Sequence, residues 1–269
     1  MKRKNVLFLG CCLTIALCII LVGPPMLQPA PIDMQEVIEK AINFLADTKE
    51  PDALLMLDVM YRRFGVSKFA DALQRYDQLL AEDPFEAPTM RLFRRIAIRD
   101  NPLQAGDLEL VSFDVDRITI PALYCDQRGL PFDYSAQLIK AADSGEYMLT
   151  HALLACIWIQ ENGCEVQLPD GFIENLYNAN AELIDENPVV SDLEMEAAAF
   201  LYLAGQGALV EDAFIERVLV VQNYDGGWSS YSDESGTSQW HTTVVALMLL
   251  LHVEYPSDSY PPMLASASP

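Results

Sequence analysis

Three side chains in the second half of the chain have the types and spacing that could do chemistry. His151, Glu196 and His241 are separated by 45 and 45 residues. Each stands just before an apolar run: ALLACIWI after His151, AAAFLYLA after Glu196 and TTVVALMLLL after His241. Two imidazoles and a carboxylate form a donor set able to hold a divalent ion such as Zn²⁺ or Fe²⁺, and a metal-bound water could then act as a nucleophile. Asp143, Asp192 and Asp225 are the nearby carboxylates expected to orient such ligands. A plainer alternative is a polar cluster with no metal. A carboxylate at the start of an Ala, Phe and Leu-rich helix costs several kcal/mol to bury alone, so two imidazoles would serve as its partners.

The elements that must position these residues are helical. Tyr147–Gln160, Asp192–Ala204 and Thr242–Leu251 are apolar around the whole circumference and too short to span a bilayer, so each is expected to be a buried helix carrying its His or Glu in the first turn. Gly171–Ile184 and Val210–Gln222 are amphipathic and alternate with them. An alternation of surface and buried helices at a period of 45 residues fits a helical-hairpin repeat. Upstream, Asp33–Asp47, Asp52–Phe64, Lys68–Ala81 and Glu86–Ile98 read as amphipathic helices, with Asp33 an N-cap candidate. Leu108–Pro121 (LELVSFDVDRITIP) alternates like a strand and is expected to be a short hairpin or an extended connection. On such a strand Asp114 and Asp116 share one face, either as a solvated pair or as a D-x-D holding Mg²⁺.

The turn sequence Gln222-Asn-Tyr-Asp-Gly-Gly-Trp228 resembles the QW repeat of the α/α toroids of terpenoid cyclases and protein prenyltransferases. Leu219, Val220 and Val221 stand where that repeat has an aromatic residue, and Trp158-Ile159-Gln160 followed by Asp170-Gly171-Phe172 is a weaker echo. The resemblance covers about Asp133–Glu254. It implies an all-α body of helical hairpins forming a small or incomplete toroid, in which Gln222 closes a helix end and Trp228 packs over the turn. It also implies that the inner helices point their N-termini at one end of a central cavity. The catalytic motifs of the enzyme branches are missing: there is no DxDD acid motif, and nothing matches the Asp, Cys and His zinc ligands of the prenyltransferases.

Charge narrows the partners. The net charge is −22, and residues 129–269 hold two cations, Lys140 and Arg217, against 21 Asp and Glu. Nucleic acid is excluded as a partner, because that affinity comes from Lys and Arg neutralising phosphates. A diphosphate substrate would be repelled unless a metal intervened. No G-x-S-x-G is present, and Asp225, Asp233 and Glu234 do not have EF-hand spacing.

At the N-terminus, Lys2-Arg3-Lys4 precedes an apolar run from Val6 to Val22. Residues 1–23 are expected to be a signal anchor or transmembrane segment that leaves the acidic body outside the cytoplasm, with a cleaved signal and secretion as the alternative. A proline-rich spacer follows over 24–32, then an amphipathic part over 33–128, the toroid-like part over 129–256 and a disordered tail over 257–269. Cys125, Cys156 and Cys164 allow one disulfide. His252 reads as an ordinary residue of a helix C-terminal turn. The expected function is display outside the membrane of a body that binds an apolar small molecule or a protein partner through its cavity or acidic face. The alternative is a metal-dependent enzyme built on His151, Glu196 and His241.

Overall fold

The computed structural model describes residues 32–266, apart from 86, 104, 105, 112 and 233–235. The expected anchor, and its spacer through residue 31, lie outside the described residues. No helix among the described residues is long and apolar enough to cross a membrane.

The described chain is all-helical. Its first helices are α1 (Met34–Leu45), α2 (Pro51–Phe64), α3 (Ala72–Glu82) and α4 (Ala87–Phe93). The middle of the chain forms α5 (Asp114–Leu123), α6 (Cys125–Arg128), α7 (Tyr134–Ser144) and α8 (Glu146–Glu161). The last four are α9 (Phe172–Ala181), α10 (Asp192–Leu203), α11 (Asp212–Val220) and α12 (Trp240–Glu254). Local chemistry sets several boundaries. The Asp33 carboxylate accepts from the Gln35 amide to cap α1. Ser191 and Glu194 form a reciprocal capping box that starts α10. Gly65, in the left-handed region at φ 71°, ends α2.

The strand expected over Leu108–Pro121 is instead a 3₁₀ turn at Asp107–Leu110 followed by α5. Its β-branched residues suit a strand, but a strand here would have no neighbour to pair with. Helix α5 instead buries Ile118, Thr119, Ile120, Ala122 and Leu123 and packs along α8, so tertiary burial outweighs local propensity. The helix also splits the D-x-D pair. Asp114 is exposed beside Arg117 (3.6 Å), while Asp116 turns toward the interior.

One apolar core runs from Val37 in α1 to Leu264 and includes residues on both sides of 128/129. Helices α8, α10 and α12 are buried on nearly every face. Gln222 and Trp228 close the α11–α12 turn. The Gln222 amide donates to the carbonyls of Val37 and Gly226 (both 2.9 Å), joining α11 to α1. Trp228 is fully buried, and its indole donates to the Val218 carbonyl at 2.8 Å. A Cys125–Cys164 disulfide ties α6 to the chain after α8, and Cys156 is free.

The tail expected to be disordered from residue 257 is packed through residue 266. Met263 and Leu264 are buried, and their amides donate to the Glu161 carboxylate at 2.8 Å each. The Arg62 and Arg63 guanidinium groups donate to the carbonyls of Met263 (2.9 Å) and Pro261 (2.7 Å). Amides and carbonyls of this strap thus find charged partners, which offsets the entropy of ordering it.

Candidate functional site

Helices α2, α4, α5, α8, α10 and α12 surround a cavity of about 380 Å³, and Met263 of the C-terminal strap also lines it. Helices α1, α3, α6, α7, α9 and α11 contribute nothing to its lining. The wall is largely aliphatic and aromatic. His151, Glu196 and His241 stand together on it, brought there by α8, α10 and α12.

The three residues meet through Glu196, which is fully buried. Its Oε1 accepts from the Thr150 hydroxyl and lies 3.4 Å from His151 Nδ1. Its Oε2 lies 3.2 Å from His241 Nε2, an ion-pair distance, but off the direction of any donor, so it has no aligned hydrogen bond. On its other side, His241 Nδ1 sits 2.9 and 3.1 Å from the two carboxylate oxygens of Asp192. Asp192 is held in turn by the hydroxyls of Tyr147 (2.7 Å) and Thr242 (2.6 Å). The chain of contacts is therefore Tyr147 and Thr242 to Asp192, then His241, Glu196 and Thr150.

Both ring nitrogens of His241 face carboxylate oxygens, so both carry a hydrogen. Burial works against the imidazolium, but the hydrogen bond to Asp192 and the nearby charges of Asp192 and Glu196 outweigh it and lift the pKa to about 10. Asp192 shows the reciprocal effect. Burial alone would raise its pKa, yet the contacts with His241, Thr242 and Tyr147 hold it below the usual value. His151 Nδ1 lies 2.8 Å from the Tyr147 carbonyl, which can only accept, so this nitrogen donates.

The geometry of His151, Glu196 and His241 is that of a hydrogen-bonded and ion-paired cluster. A ligand imidazole must present a lone pair, and here both ring nitrogens of His241 face carboxylate oxygens. Among the described residues no set of three or more His, Cys, Asp or Glu is arranged to hold a metal ion. Two of the three carboxylates expected to support the site are elsewhere. Asp143 is exposed near the end of α7. Asp225 accepts from the Gly227 amide (3.1 Å) and the Ser238 hydroxyl (2.6 Å), shaping the turn before α12. Asp192 does join the cluster, as the direct partner of His241. Asp233 and Glu234 lie outside the described residues.

The placement also differs in detail from first-turn positions. Only His241 is in the first turn of its helix; His151 and Glu196 sit one turn further in. Side chains that the sequence reading missed are Tyr147 and Thr150, and it places Asp116 only as half of a strand-borne D-x-D pair. Tyr147 precedes Asp192 by 45 residues, so the same period that aligns the three central residues also marks this pair. Asp116 was hidden by the strand-like pattern of its segment. Lining the cavity from α5, it has its pKa raised to about 6, first by burial and then by the charge of Asp52.

No family model, curated protein or solved structure matches the chain.

Proposed function

We propose that this chain is an α/α-toroid-like binding protein whose central cavity takes an apolar small molecule with a polar end, displayed outside the membrane by its N-terminal segment. One observation carries the reading: six helices enclose a cavity of about 380 Å³ with an apolar and aromatic wall and a few convergent polar groups. Ligand sites are commonly concave spaces of roughly 300–1,000 Å³ with this lining. From α8 to α12 lining helices alternate with helices that stay outside the lining, which supports the toroid-like description, as do the structural roles of Gln222 and Trp228. In this reading the Asp192–His241–Glu196 cluster fixes the polar end of the ligand rather than activating a water on a metal.

Filling the cavity from a residue already on its wall is the test. Ala199 of α10 lines it and is buried. N-phenyl-1-naphthylamine, an apolar probe that fluoresces out of water, should bind the full chain with a saturating signal. Ala199→Phe should abolish most of that signal while circular dichroism stays helical, and Val244→Phe, from α12, should do the same. Undiminished probe binding in two folded filled variants would place the apolar site elsewhere and end the reading.

A further inference from the structure

Apart from the His241 imidazolium, the charges facing the cavity among the described residues are negative. Asp52, Asp116 and Glu196 line it, and no Lys or Arg does so among the described residues. The single imidazolium, His241, is already shared by Asp192 and Glu196, so two carboxylates surround one cation and the cluster stays net negative. Five aromatic side chains complete the wall: Phe93, Phe113, Trp158, Phe200 and Trp240. Ring faces attract cations through their quadrupole, and that attraction grows as the cation is desolvated.

Two of these carboxylates are left incomplete. Glu196 is 0% exposed, yet its Oε2 has no aligned donor. Asp116 is partly buried on the opposite side of the sequence pattern, on α5, and no cation or hydrogen-bond donor partners it among the described residues. Buried or half-buried acceptors of this kind cost stability unless something supplies the missing donors. An alcohol could offer one donor and no charge. A carboxylate or phosphate would be repelled. An alkylammonium offers positive charge, N–H donors and an apolar body suited to the rest of the wall.

We propose that the ligand of this cavity is a cationic amphiphile, an ammonium group on an apolar body, with Asp116, Glu196 and the aromatic wall selecting the charge. This rests on the cavity being the ligand site. Three probes of equal chain length separate the two ideas: octylammonium, 1-octanol and octanoate, each measured by equilibrium dialysis against the full chain. Octylammonium should bind at least about tenfold more tightly than octanol, with octanoate weakest. Asp116→Asn and Glu196→Gln should each cut the ammonium-to-octanol ratio at least about threefold. Equal binding of octylammonium and octanol, or a preference for octanoate, would overturn the charge selection and leave the apolar site standing. A preference for ammonium that survives in both folded variants would also overturn it, assigning the selection to other groups. Binding of all three probes that is indifferent to Ala199→Phe would instead remove the cavity reading itself.

Discussion

Helix α12 carries two histidines, and its two ends treat them oppositely. His241, in the first turn, is held as an imidazolium with a pKa of about 10. His252, in the last turn, is buried and has its pKa lowered to about 4, first by burial. The helix dipole alone favours the reverse, since positive charge is disfavoured at an N-terminus and favoured at a C-terminus. Neighbours decide instead. His241 meets Asp192 and Glu196. His252 meets the Met248 carbonyl through Nδ1 (2.7 Å) and accepts from Arg63 Nε through Nε2 (3.1 Å), and it packs edge-on against Phe64 and Tyr260. A cation beside an accepting nitrogen keeps the ring neutral. One end of the helix is thus built around charge that faces a cavity, the other around a neutral ring that locks the C-terminal strap.

The largest expected effect comes from the neutral end. A histidine whose folded pKa lies below its unfolded value destabilises the fold as pH falls from about 6.5 to 4, with no further change below that. For His252 this amounts to about 3 kcal/mol, taking 1.36 kcal/mol per pH unit. Urea unfolding of the wild type should show this acid limb, and His252→Gln should flatten it even where its absolute stability is lower. An unchanged limb in the variant would mean that His252 is not the buried neutral ring described.

Breaking the charged end should have a somewhat smaller effect with the opposite pH sign. His241→Ala leaves Asp192 and Glu196 without their cation and should cost about 2 kcal/mol near pH 7, discounted from the range for fully buried pairs because the imidazole is 39% exposed. The raised pKa means that the His241 contribution is fully present below about 6.5 and is lost as pH rises through about 10. The difference between variant and wild type should therefore shrink as pH rises from about 7 to about 10. A difference that is constant with pH would make the residue a packing element only.

The smallest effect is a gain. Asp116 has a raised pKa, so its carboxylate penalises the folded state above about pH 6, and the penalty disappears below about 3.8. Asp116→Asn should raise stability by about 1 kcal/mol at pH 7.5 and leave it unchanged at pH 3.5, after allowance for the partial exposure of the side chain. A stabilising substitution that also weakens ammonium binding is the signature of a residue kept for function. A loss of stability at pH 7.5 would show that Asp116 serves the fold.

Much of the architecture could be read from residue order. The helical periods of α1 to α4 and the apolar circumference of α8, α10 and α12 follow from side-chain patterning. The convergence of His151, Glu196 and His241 followed from their common period. The bonds among them did not, because two imidazoles and a carboxylate make equally good metal ligands or mutual partners, and residue order does not give the position of Asp192 against His241 Nδ1. Asp116 was obscured because β-branched neighbours mimic a strand, and that ambiguity is resolved only by packing against α8. The ordered strap was obscured for a related reason. Its composition is that of a loose tail, and its order comes from Glu161, Arg62 and Arg63, far away in the chain.

The chain contains only three histidines, so its imidazole ¹⁵N resonances can be assigned by single substitutions and followed with pH. The account holds that His241 is an ion-paired cation engaged at both nitrogens, on the wall of a ligand cavity. It predicts that both nitrogens of His241 stay protonated to beyond pH 9, while His252 keeps one unprotonated nitrogen down to about pH 4.5. Titration of His241 near 6.5, or a lone pair on its Nε2 at neutral pH, would contradict the cluster described here.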